Sequence, residues 1–199
     1  MKPAVKFPII LLLVVACALM VVRCHRLLRS EGEPELSMYV GLGAGAAEEI
    51  QRLVPGEGRW LVVALEPSSL PRYGALVDGF KRNAKGETTW HFLPEESSLS
   101  FQSDGLGAGA LREIMRKYPG INGVVLLGGA FNADGTARDP AGPPVVAGPM
   151  SRETALPALA KGQLAAAIVY REASKYVPDA SPAKQFSALF EILHEASAP

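Results

Sequence analysis

Between residue 59 and residue 170 the chain alternates two patterns. Short runs that are apolar nearly throughout, "RWLVVAL" (Arg59–Leu65), "TTWHFL" (Thr88–Leu93), "NGVVLL" (Asn122–Leu127), "PPVVAG" (Pro143–Gly148) and "LAAAIVY" (Leu164–Tyr170), read as strands. Longer stretches with apolar residues at helical spacing lie between and after them: "PRYGALVDGFKRNA" (Pro71–Ala84), "SRETALPALAKG" (Ser151–Gly162) and "SPAKQFSALFEILHEA" (Ser181–Ala196). A strand apolar on both sides requires cover on both faces, and alternating helices supply it. The pattern predicts an α/β domain: an open, doubly wound, mainly parallel sheet of about five strands, preceded by one hydrophobic helix at the N-terminus.

One unit is written twice. "GLGAGAAEEIQRLVPGEGRWLVVALE", starting at Gly41, runs beside "GLGAGALREIMRKYPGINGVVLLGGA", starting at Gly105, so that Glu49, Ile50, Arg52, Pro55 and Gly56 recur as Glu113, Ile114, Arg116, Pro119 and Gly120. Each copy reads as an amphipathic helix stopped by Pro-Gly and followed by a strand, with the hexamer opening the helix and its small residues allowing close packing on the sheet. The other meaning of such a string is a nucleotide turn. Gly41, Gly43 and Gly45, with Glu66 at the end of the next strand, have the layout of a dinucleotide fingerprint and resemble the first motif of S-adenosylmethionine-dependent methyltransferases. That chemistry needs a buried strand directly before the glycines. "PELSMYV" offers only Met38, Tyr39 and Val40, and the second copy ends without an acid, so the packing duty is preferred and no cofactor is assigned.

The first thirty residues differ from the rest. An apolar run from Phe7 to Val22 is followed by Arg23, Arg26 and Arg29, which reads as a signal anchor or signal peptide over residues 1–29. "ACA" at Ala16–Ala18 has the form of a cleavage site, and "VVAC" resembles a lipobox ending at Cys17. Residues 30–38 then form a polar linker and residues 39–199 the domain. The expected setting is a membrane anchor with the domain on the extracytoplasmic side, although positive charge flanks both ends of the apolar run.

Composition narrows the chemistry. Twenty basic against twenty acidic residues in 199, with charges scattered, leave no basic face for nucleic acid. Cys17 and Cys24 both fall in the N-terminal segment, and His25, His91 and His194 are too far apart for a metal spacing. There is no G-x-S-x-G elbow, and the adjacent Glu95 and Glu96 read as solvated rather than as paired acids, so no catalytic residue is assigned. Trp60, Trp90 and His91 read as core positions on strands.

Three stretches carry a family resemblance. "EPSSLPRYGALVDGFKRNA", "IMRKYPGINGVVLLGG" and "PPVVAGPMSRETALPALAKGQLAAAIVYR" resemble, in order, segments of the C-terminal lobe of type 1 periplasmic binding proteins, the sugar-binding and lac-repressor-like group. The resemblance implies a lobe that binds a small polar solute such as a sugar at the C-terminal ends of its strands, the place the rule for open α/β sheets also gives. The candidates are Glu66, Ser68, Ser69 and Arg72 after the first strand, Asn132 after the third, Ser151 and Arg152 after the fourth, and Arg171 after the fifth. Where the family often has Asp and Gln, this chain has Gly148–Pro149 and Arg171, and a loop replaces one helix. A single lobe is expected, so that either a protein partner supplies the second or the ancestral binding activity is gone; the further alternative is a structural subunit of a membrane complex.

Overall fold

The computed structural model describes residues 36–68, 70–94, 105–129, 131–132 and 141–194. The apolar segment at residues 1–29, Ser69, Glu95 and Glu96 lie outside them. Among the described residues no helix is long and apolar enough to cross a membrane. They belong to one compact unit, Leu36–Pro199.

The elements follow the predicted alternation. Helix α1 covers residues 36–53. Then come β1 (Gly58–Leu65), α2 (Pro71–Asn83), β2 (Gly86–Leu93), β3 (Leu106–Gly107), α3 (Ala108–Arg116), β4 (Gly123–Leu127), β5 (Phe131–Asn132), β6 (Val145–Met150), α4 (Arg152–Ala160), β7 (Ala166–Tyr170), α5 (Pro182–Leu189) and β8 (Phe190–His194). The main sheet has six strands in the order β2-β1-β4-β6-β7-β8, and β3 pairs with β5 in a separate two-stranded sheet. All neighbours in the main sheet are parallel except β7 and β8.

Two packed layers explain the fully apolar strands. On one face Leu42, Ala46, Ala47 and Ile50 of α1, Leu76 and Phe80 of α2 and Leu189 of α5 meet Trp60, Val62, Ala64, Val125, Leu127 and Ile168. On the other, Leu111 and Ile114 of α3 and Ala155, Ala158 and Leu159 of α4 meet Leu61, Val63, Val124, Leu126, Ala147 and Val169. Alternate side chains of one strand therefore enter different cores. Each fully buried Val or Leu contributes about 1.5–3 kcal/mol. Trp60 is completely buried, whereas Trp90 and His91, on edge strand β2, are only partly covered.

Three expectations are corrected. The sheet has six strands rather than about five, because the closing segment is not one helix: α5 ends at Leu189 and "FEILH" turns back as antiparallel β8. This strand covers the edge of β7, whose apolar residues would otherwise present an open ladder. Residues 36–40, read as linker and a weak strand, are already helical. Finally, the first hexamer does not open a helix. It lies inside α1, where a Cβ on Gly41 would overlap the Pro182 carbonyl, one on Gly43 the Leu76 carbonyl and Phe80 amide, and one on Gly45 the Phe186 ring. These glycines bring α1 against α2 and α5 at backbone distance, which rules out a phosphate turn at this position. In the second copy Leu106–Gly107 is strand β3, and α3 begins at Ala108.

Candidate functional site

From β1 the chain moves outward to β2, then crosses back to β4 and continues to β6 and β7. The direction reverses between β1 and β4. In an open α/β sheet such a reversal splays the connections apart at the carboxyl ends and leaves a crevice. A cleft of about 460 Å³ lies there, lined by Tyr39, Arg72, Tyr73, Leu76, Gly128, Gly129, Pro149, Met150, Ser151, Thr154 and Tyr170.

Each wall follows from its local sequence. Pro71 takes the first position of α2, where its missing N–H costs nothing, and so puts Arg72 and Tyr73 in the first turn above the end of β1. Gly128 leaves β4 with φ +83°, and a Cβ there would meet Leu76 Cδ2 at 2.8 Å, so glycine keeps the floor of the cleft open. Its N–H donates to the Gly148 carbonyl at 2.9 Å, tying the ends of β4 and β6 together. Ser151 caps α4: its Oγ accepts the Thr154 N–H at 3.2 Å and lies 2.9 Å from the Thr154 hydroxyl. Tyr170 ends β7, half exposed, with its ring 5.2 Å from that of Phe190.

The cleft's chemistry is phenolic and cationic. Arg72 Nη2 donates to the Tyr73 hydroxyl at 3.3 Å, and its guanidinium stands 5.1 Å from the centre of the Tyr73 ring. The hydrogen bond to Tyr73 raises its pKa, with burial opposing and Tyr39 adding a smaller share, so it remains charged at every working pH. Burial pushes the Tyr170 hydroxyl upward, Tyr39 adds to this and Arg72 opposes it, so this phenol stays protonated near neutrality. The described lining contains no carboxylate, imidazole or thiol. Among the described residues no group of His, Cys, Asp and Glu is arranged to hold a metal.

Of the residues singled out from sequence, the structure brings Arg72 and Ser151 together in the cleft. Glu66 and Ser68 follow β1 but are exposed and do not line it. Asn132 is exposed on β5, opposite Gly107. Arg152 pairs with Glu191 at 2.9 Å, and Arg171 Nε donates to the Phe190 carbonyl at 2.8 Å, so both are engaged with β8. Ser69 lies outside the described residues. Sequence reasoning missed Tyr39, Tyr73, Thr154, Tyr170 and the Gly128–Gly129 floor. Tyr170 was within reach, being the last residue of an apolar run, one position before Arg171.

No family model matches the sequence, and neither does any curated protein. Solved structures do match by fold. A solute-binding protein of an ABC transporter from Burkholderia graminis, in complex with D-arabinose, aligns with TM-score 0.51 at 14% identity over 79% of this chain and 60% of its own. A chain of the XylFII–LytSN complex aligns with TM-score 0.50 at 14% identity over 80% of this chain and 60% of its own. A sugar-binding protein of a sugar ABC transporter from Bacillus halodurans aligns with TM-score 0.46 at 17% identity over 66% of this chain and 45% of its own. This chain thus spans between 45% and 60% of the length of these neighbours. The chain has the fold of one lobe of a periplasmic sugar-binding protein.

Proposed function

We propose that this domain binds a small polar solute in the cleft above the β1–β4 reversal, without chemical conversion, and that a protein partner supplies the opposite wall. The observation that carries this reading is the convergence of Arg72, three tyrosines and the Ser151–Thr154 hydroxyl pair on one crevice at the carboxyl edge of the sheet. Guanidinium and hydroxyl groups recognise oxygen-rich solutes by directed hydrogen bonds, and tyrosine rings offer flat apolar faces. Two fold neighbours support the occupant and the partner: one is a solute-binding protein holding D-arabinose, the other belongs to a two-protein complex. In this reading the Phe7–Val22 segment anchors the domain to a membrane, with the cleft on the extracytoplasmic side.

Thermal-shift and calorimetric titration of the full-length chain with a monosaccharide panel tests the site. Binding is expected, weakened ten- to a hundredfold by Arg72→Ala, the range set by loss of hydrogen bonds from a charged donor. Binding unchanged in Arg72→Ala and Tyr170→Ala would move the site elsewhere. S-adenosylhomocysteine and nicotinamide dinucleotides are expected to leave the protein unaffected. Alkaline extraction of membranes and protease access in intact cells test the anchor and its side.

A further inference from the structure

Four arginines of this domain are matched directly with an acid. Arg52, Arg59, Arg116 and Arg152 each hold a glutamate, respectively Glu49, Glu87, Glu113 and Glu191. Arg72 does not. Among the described residues its partner groups are the hydroxyls of Tyr73 and Tyr39 rather than carboxylates. A partly desolvated guanidinium beside hydroxyls keeps its charge, and the described cleft walls contain no acid to offset it. Glu66 at the end of β1, Asp78 on α2 and Glu153 in the first turn of α4 are exposed and outside the described lining. The nine-residue helix α4 starts at this cleft and adds the partial positive charge of its N-terminal end.

From this imbalance we propose that the cleft selects a solute bearing an anionic group, a carboxylate or a phosphate on a sugar-sized polyol, over the neutral parent. The inference rests on the cleft being a solute site. Arg72 would receive the anion through its planar fork, which suits either oxyanion. The tyrosine hydroxyls and Ser151–Thr154 would meet the remaining hydroxyls of the polyol.

The test uses matched sets titrated into the full-length protein at low and physiological salt: D-glucose, D-glucuronate and D-glucose 6-phosphate, with the corresponding galactose and arabinose sets. The expected result is binding of at least one acidic member tenfold or more tighter than its neutral parent, equal to about 1.4 kcal/mol. The carboxylate and phosphate arms identify which oxyanion is taken. Arg72→Gln should reduce the preference to under about twofold, Arg72→Lys should retain part of it as a point charge, and Arg152→Gln, whose native partner is Glu191, should leave it intact. Neutral members binding as well as or better than the acids would overturn the inference while leaving the solute site standing. So would a preference that survives Arg72→Gln. Failure of every member to bind would overturn the site reading and this inference together.

Discussion

The two copies of the repeated unit begin with the same six residues and share a Glu–Arg pair three positions apart, yet they have different surroundings. In the first, the hexamer is locked in the middle of α1, and Glu49 is 4% exposed, bridged by Arg52 at 2.8 Å and approached by His194 of β8 at 3.5 Å. In the second, the hexamer spans the β3–α3 junction, and the matching Glu113–Arg116 pair has side chains 67% and 73% exposed. Identical local sequence thus yields a buried cross-element tie in one place and a solvated surface pair in the other. What separates them is the company each helix keeps. α1 is squeezed between α2 and α5, whereas α3 covers the other face of the sheet with its polar side open.

The largest test of this contrast is at the glycines. Gly43→Ala forces a methyl into the α2 backbone and is expected to cost about 3 kcal/mol. At the equivalent Gly107, the N-cap of α3 with φ −67° and ψ 152°, alanine should cost under about 1 kcal/mol. Guanidinium unfolding of both variants measures the gap, and equal costs would break the comparison. Next come the carboxylates. Glu49→Ala removes a buried group facing two partners and is expected to cost about 2 kcal/mol, below the usual value for a broken buried pair because Arg52 can rehydrate. Glu113→Ala should change stability by no more than about 0.5 kcal/mol. Where burial converges, so should the cost: Ile50→Val and Ile114→Val, both in core positions, are each expected to lose about 1 kcal/mol in the same assay.

The smallest effect is one of pH beside the second copy. His91 lies 3.0 Å from the Tyr118 hydroxyl, and burial, with Lys117 adding, lowers its pKa below the ordinary 6.5. The unfolded chain therefore binds a proton that the folded chain refuses, so this share of stability is full above pH 6.5 and is lost as pH falls toward the depressed value. His91→Gln should flatten the unfolding midpoint between pH 7 and pH 5 by a few tenths of a kcal/mol. A slope unchanged by the substitution would place the titrating group elsewhere.

The sheet was legible because a strand buried on two faces leaves an unbroken apolar run, as in β1, β4, β6 and β7; the fifth run became edge strand β2, which is only partly covered. The eighth strand was not legible, since "ALFEILH" fits helical and extended spacing equally and only the open edge of β7 decides between them. The start of α1 was hidden for a similar reason: Met38, Tyr39 and Val40 look like a short strand until α2 and α5 are there to pack against. At the cleft, the rule of strand ends named Arg72 and Ser151 among the residues that line it. It could not resolve single residues, because neighbouring side chains at a strand end point to opposite sides. Arg171 was chosen and Tyr170 belongs to the lining. Tyr39, from a helix that precedes the sheet, carries no signal of this kind.

The account turns on the cleft above the β1–β4 reversal, and amide chemical-shift mapping probes it most directly. With a binding member of the sugar or sugar-acid panel added to labelled full-length protein, the largest shifts are predicted at Arg72, Gly128, Gly129, Ser151 and Thr154, with Gly41–Gly45 silent. Shifts centred on Gly41–Gly45 or on edge strand β2, with the cleft amides unmoved, would contradict it.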